Sequence, residues 1–459
     1  MNLPSNLTPF SHSILHPAMR DSLRRVASPL RSVGVSASFS DAPEAVDAAL
    51  ARMTTAVWGT SPAATADLLN APSSPEASRG KASRGMKWGR QALQDFPRAY
   101  GRLQRWSEGV FESEWSQAQL LQVMEEIEPM TAEALRWMHI TAIAATGGYA
   151  RLGELIARFE KDAARAHALR LGLTAALKTP DGRLMEVLKV GVAPDLLAER
   201  FGHMAVHEPY EMAWPRLAET AEALLGDAPP PKALMWDAER AMRRQEASVR
   251  VARAQAGFLG RSEMMKTIHL TQTALTAHAE ARDALAYVLA AARHWARAAA
   301  DEAVADGRIQ RFDEIFMLEI EEIKQMMTGE WHSRAQIDPL LIGRRREGRK
   351  SEETAAIPAQ ALGVAGEHVR GPLVRFSSPA EVRPLSGFIA LAANWTPAWW
   401  RVALMAEGII SLQGNLLSWA ASVARMGDLP TLVGGSAYAL WPEATIDLFP
   451  AQNRAEMAD

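Results

Sequence analysis

The chain of 459 residues contains no cysteine. Disulfides, thiolate metal sites, iron–sulfur clusters and cysteine nucleophiles are excluded by that absence alone. A dominant charge is missing too: 50 Lys and Arg face 53 Asp and Glu, a formal net charge of −3. So even a balance argues against broad attraction to nucleic acid or to an anionic membrane. There is no long hydrophobic run. The most apolar stretch, 399–424, is interrupted by Arg401, Glu407, Asn415 and Ser418 and broken further by Gly408 and Gly414. A spanning helix needs about 20 mainly apolar residues, so this stretch reads as buried core and no membrane partner is expected. The N-terminus has no basic region followed by an apolar one, so no signal peptide is expected, and a cytoplasmic location is the default expectation. No glycine-rich phosphate loop of the P-loop form occurs.

What is present is a globular composition, 48% hydrophobic and 22% charged, at a length that calls for two or three domains. The pattern predicts a multidomain α plus α/β protein: a mainly α-helical N-terminal and central region, then a small C-terminal unit of β/β/α type. Residues 1–87 read as short helices and a loop, with a helix over 41–57 started by Asp41 and Pro43 and a mobile Ser/Ala/Pro/Gly-rich loop over 59–87. Residues 88–342 are almost wholly helical in pattern. Gly147–Gly148 reads as a helix break, the Pro-free stretch 234–306 as hairpins with arms of about 30 residues, and Glu125, Glu126 and Glu128 before Pro129 as a solvated helix end. Residues 343–360 read as a charged linker; its cluster Arg344, Arg345, Arg346, Arg349 and Lys350 is expected to be solvated. From 361 to 450 short apolar runs predict strands at 371–376, 387–393, 408–411 and 430–434 and a helix over 416–425.

This last unit resembles the swivelling phosphohistidine domain of phosphoenolpyruvate synthase, pyruvate phosphate dikinase and rifampicin phosphotransferase. Gly414, Ser418, Ala424, Arg425, Pro430, Val433 and Gly434 match in register the family pattern T-E-x-G-G-x-x-S-H-x-x-I-x-A-R-x-x-G-I-P-x-V-x-G. Pro397-Ala398-Trp399 resembles its D-P-A-W, and Ser378-Pro379-Ala380-Glu381 its S-P-x-E. Upstream, Thr8-Pro9-Phe10 with Ser13-Ile14-Leu15 resembles a segment that follows the ATP-grasp domain in the rifampicin type. Phe201-Gly202-His203 with Glu211-Met212-Ala213-Trp214-Pro215-Arg216 resembles the Y-G-H-R-G segment of the helical acceptor domain, with Met204 in place of its arginine. Gly307-Arg308-Ile309 and Asp313 to Leu318 resemble G-x-L…D-D-I-F-F-L. The domain order of the rifampicin type fits best, with no ATP-grasp region.

The departures carry the chemistry. The histidine position holds Trp419, the T-E is Ser411-Leu412, the second glycine is Asn415, and the glycine before the proline is Asp428. In the family, the resemblance implies, a histidine carries phosphate from an ATP site to a distant acceptor. That role needs a ring nitrogen with a free lone pair; indole offers only a donor. His368, expected before the first strand, is the one other histidine of the unit and lacks the helix-start setting that favours a phosphate. No cofactor is expected, ATP entering only through a separate partner.

His203 and His207 lie four apart, but the zincin order is absent and Pro209 follows, so no metal is expected; His12 and His16 repeat the spacing before Pro17. The resemblance makes His203, His207, Glu211, Trp214 and Arg216 candidates for a ligand pocket, with Met212, Trp236, Met264 and Met265 as apolar lining or plain core. Three readings follow. The chain is a degenerate, non-transferring relative that binds a small apolar ligand or an ATP-grasp partner protein; or it is an active phosphotransferase subunit of a split enzyme; or it is a structural interaction protein.

Overall fold

A computed structural model describes residues 7–32, 46, 75–207, 209–226, 235–331, 334–348, 361–379, 387–435, 438 and 444–458. The expected helix over 41–57 (Val46 apart) and the loop over 59–74 lie outside them. Helix α1 (Pro9–Ser32) starts where Pro9 follows Thr8, whose hydroxyl accepts from Ser11 N. Helices α2 (Pro75–Phe111) and α3 (Gln117–Ile156) follow, α3 opening with a capping box between Ser116 and Gln119. The predicted loop is therefore corrected over 75–87, which is helical: Pro75 suits a first turn, and the pattern that follows is continuous with the amphipathic one beyond residue 88.

Short helices α4 (Ala163–Leu173), α5 (Pro180–Val190), α6 (Pro194–Phe201) and α7 (Leu217–Leu225) lead to α8 (Ala238–Gln255) and the 49-residue α9 (Gly257–Ala305). The expected equal-armed hairpins are thus unequal, because Gly257 takes a left-handed φ of 66° and places the turn early. A 3-10 turn (Phe312–Met317), α10 (Ile320–Met327) and α11 (Arg334–Gly348) complete the helical body. Helix α11 corrects the linker reading over 343–348: Arg344 pairs with Glu322 and Glu319 and donates to Met317 O, which ties the helix down.

Helices α1, α2 and α9 pack on α3. Two predicted breaks in α3 are corrected by that packing. Pro129 forfeits one ladder hydrogen bond, but Ile127, Thr131 and Ala132 beside it are buried and hold the helix. α9 comes close at Gly148: a Cβ there would meet Thr271 Oγ1 at 2.9 Å and its Cα at 3.3 Å, whereas Gly147 faces open space. Gly148→Val is expected to lower stability by about 1–3 kcal/mol through overpacking, and Gly147→Val to stay within about 0.5 kcal/mol, read from urea midpoints.

The C-terminal body is one seven-stranded sheet: β1 (Ala361–Ala365), β2 (Val369–Arg375), β3 (Ile389–Ala392), β4 (Gly408–Ser411), β5 (Thr431–Gly434), β6 (Thr445–Phe449) and β7 (Arg454–Met457), in the spatial order 1-5-4-3-2-6-7. Strands β2 to β5 run parallel, with Val374 beside Ala390, Ala390 beside Ile409 and Ile409 beside Thr431. β1 joins antiparallel to β5, and β6 and β7 extend the other edge. Every residue of β3, β4 and β5 is buried, as expected of parallel strands covered on both faces. The crossovers carry α12 (Trp400–Met405) and α13 (Trp419–Gly427). His368 follows β1 and does not precede the first strand.

Candidate functional site

The two bodies share one buried core, to which Trp236 of the helical body and Trp395, Trp399, Trp400 and Trp419 of the sheet body all belong. Polar contacts fix the register of the seam. Met235 N donates to Leu404 O and Asp237 N to Gly427 O; Trp236 Nε1 donates to Val423 O at 2.9 Å. Gly427 has to be glycine, since a Cβ would sit 1.9 Å from Trp236 Cδ1. Asp428 closes α13 in the left-handed region, φ 48°, and its carboxylate pairs with Arg244 at 2.6 Å. His167 bridges Gly363 O and Arg170.

Trp419 is the first residue of α13. Ser418 caps that helix, its hydroxyl accepting from Ala421 N. The Trp419 ring is 1% exposed and lines a small cavity with Asp181, Tyr210, Arg282 and Asp283 of the helical body. Its indole N–H is buried without an acceptor, unlike those of Trp236, Trp295, Trp395 and Trp400. Trp419 thus faces a charged cluster. Arg282 pairs with Asp181. Asp283 accepts from Tyr100 Oη at 2.7 Å and lies 2.8 Å from His203 Nε2, and the His203 ring stacks on Tyr287. Burial pushes the Asp181 carboxyl up against the pull of Arg282. Burial acts likewise on Asp283, but His203, Tyr100 and Arg183 outweigh it and hold that carboxyl below its ordinary value.

A larger cleft, about 370 Å³, opens where β2 and β3 end. Carboxyl ends of parallel strands are where open α/β sheets bind ligands. Phe376, Trp399 and Leu412 form its apolar walls, and His207 reaches it from the helical body. Asn394 Oδ1 and Thr396 Oγ1 line it as buried atoms without a partner. Such atoms are rare in native proteins and mark a place where a hydrogen-bonding group fits.

The five predicted pocket residues do not share one cavity. His207 lines the cleft, with its ring tilted against that of Trp214, which is 47% exposed. His203 is enclosed by Asp283 and Tyr287. Glu211 is a staple: it accepts from Thr8 N, Thr8 Oγ1, Ser11 Oγ and Ala213 N, which ties the 203–216 loop to α1. Burial raises its carboxyl despite these bonds. Arg216 is buried, donates to Pro209 O and is lowered to about 10 by burial and by Arg293 beside it. The family-motif positions have separate tasks: Ser418 caps α13, Gly414 takes φ 145°, Arg425 is buried in the seam, and Pro430 O accepts from Ile409 N.

His368 lies at the opposite end of the sheet from Trp419, before the amino end of β2, where it pairs with Asp447 and stacks on Phe449. Among the described residues no group of three or more His, Asp or Glu side chains is arranged to hold a metal, and no helix is long and apolar enough to cross a membrane.

Sequence reasoning missed Asp283, Arg282 and Asp181. A signal existed: His278 and Arg282 interrupt the stripe Leu275, Leu285 and Leu289 at helical spacing, so two polar residues lie on an apolar face of α9. Compared with known proteins, the chain matches no family model and no curated protein.

Proposed function

We propose that this chain is a non-transferring relative of the swivelling phosphotransferases that works as a small-molecule binding protein, its ligand held in the cleft at the ends of β2 and β3. The observation that carries this reading is Trp419. It stands at the first turn of a capped helix, buried against the helical body, in the place where the resemblance expects the phosphorylated histidine. Indole has no lone pair free to take a phosphoryl group. The fixed seam supports the same conclusion, because a carrier must leave one site to reach another and this unit shares its core with the body it would leave.

The cleft supports the binding half. Its size lies within the roughly 300–1,000 Å³ of ordinary ligand pockets. Aromatic walls and unpaired acceptors at Asn394 and Thr396 suit a small, partly aromatic molecule bearing an N–H or O–H donor.

The test has two arms on the full chain. Incubation with labelled ATP or labelled phosphoenolpyruvate is expected to leave no acid-labile label; a stable phosphoenzyme would end the non-transferring reading. A panel of small aromatic amides and phenols is expected to include compounds that raise Tm. Thr396→Val is expected to weaken such a compound about 3- to 10-fold, the worth of one hydrogen bond. No compound raising Tm, or unchanged affinity in the variant, would remove the cleft from the proposal.

A further inference from the structure

A cleft of about 360 Å³ opens between α1, α2 and α3, and arginines dominate its polar lining. Arg98 and Arg102 lie four apart on α2 and so share a face, while Arg25 comes from α1 and Arg136 from α3. Two of the four are answered by carboxylates: Arg25 pairs with Asp21 at 2.7 Å, and Arg102 pairs with Glu133. Among the described residues neither Arg98 nor Arg136 forms an ion pair, and Arg136 Nε is buried without an acceptor. Asp95, the remaining acid of the lining, stands one turn before Arg98 and forms no ion pair either. Counting Asp21, Asp95 and Glu133, four arginines face three carboxylates. Glu128, beyond the lining, is offset by Arg20.

The imbalance centres on Arg136. Burial lowers its guanidinium from its ordinary value, and Arg25 and Arg102, both of like sign, lower it further. Its charge centre stands 5.5 Å from the Trp137 ring, which together with the enclosed Nε holds the side chain in place. A fixed, unanswered guanidinium suits the paired oxygens of a carboxylate or a phosphate. Ala92, Ala99 and Ile140 supply an apolar wall to the same cleft. The volume is far more than a bare inorganic anion fills and lies within the range of ordinary ligand pockets. We infer that this cleft binds a small organic anion, its phosphate or carboxylate head at Arg136 and Arg98 and its apolar body along Ala92, Ala99 and Ile140. No described residue of the sheet body lines it, so the site is separate from the cleft at β2 and β3 and does not depend on the binding function proposed above.

The test titrates phenyl phosphate and benzoate against the full chain by calorimetry. Binding of at least one is expected, weakening as salt rises because the head is charged, and the tighter of the two identifies the head group. Arg136→Gln is expected to weaken that probe about 10-fold, the worth of a hydrogen bond to a charged group. Arg98→Gln, at an exposed position, is expected to weaken it about 3-fold. Asp95→Asn, which removes a repelling carboxylate, is expected to tighten it. Binding of neither probe, or unchanged affinity in both arginine variants, would overturn the inference. So would a loss of affinity in Thr396→Val instead, which would place the probe in the cleft of the sheet body. If Arg136→Gln does not fold, Arg98→Gln and Asp95→Asn, both at exposed positions of α2, decide.

Discussion

Trp419→Ala is expected to cost about 3–5 kcal/mol, the usual toll of emptying a large aromatic site in a core. The ring is 1% exposed and belongs to the core cluster that unites the two bodies, so the cavity would open at the seam itself. The loss should therefore appear twice. The urea midpoint falls, and the sheet body becomes open to proteolysis before the helical body does. Trp419→Phe supplies the contrast. It keeps most of the volume and removes an indole N–H that is buried without an acceptor, and an unsatisfied buried donor costs about 1–3 kcal/mol. The phenylalanine variant should accordingly match or exceed the parent in stability. If both variants lose the same amount, Trp419 is held by something other than shape.

Much of this architecture is legible in the residues. Strands β3, β4 and β5 announce themselves as short apolar runs because parallel strands are buried on both faces. The outer strands do not. β1 is built from small residues (ALGVA), and β6 and β7 carry Asp447, Arg454 and Glu456, charged residues that read as loop. The helix breaks predicted at Gly147–Gly148 and Pro129 rest on local propensity, and packing against α9 overrides it. One member of the charged cluster is visible in the same way. His203 draws the eye as part of a histidine pair, but its partner Asp283 is 80 residues away on a different helix, and only the crossing of the 203–216 loop over α9 brings them together. The helix that holds Trp419 is legible; what Trp419 faces is not, because Asp181 and Arg282 come from elements with no sequence link to α13. His207 is the one predicted pocket residue that reaches the cleft, while Phe376, Asn394 and Thr396 lie in strand ends that show no motif of their own.

Acidification from pH 7 to 4 should remove several kcal/mol of stability, with three histidines as the main cause. Burial lowers His139 to about 4, against the Leu135 carbonyl. Burial, with Arg282 and His139 nearby, lowers His278 to about 3 against the Met138 carbonyl. Burial and Arg170 lower His167 to about 4, against the Gly363 carbonyl. All three rings are neutral in the folded state, and His167 is held as the tautomer that donates to Gly363 O while accepting from Arg170. In the unfolded chain each titrates near 6.5. Above that pH neither state takes a proton and the full stability is present. Below it the unfolded chain binds protons that the native state refuses, so stability falls at about 1.4 kcal/mol per pH unit for each histidine. The decline begins near pH 6.5 and ends only as pH passes about 4 for His167 and about 3 for His278. Asp181 and Glu211, raised by burial, shift the balance the other way, since the native state takes up their protons first and regains some stability as pH falls through their folded values. Asp283 and Glu219, held low by their partners, add a loss only below the ordinary carboxylate range. Urea midpoints at half-unit steps separate these windows. Between pH 6.5 and 5 the slope belongs to the histidines, and His278→Gln should flatten it by about a third. An unchanged slope in that variant would show that His278 accepts its proton in the folded state, and that the seam beside Arg282 is wetter than its geometry implies.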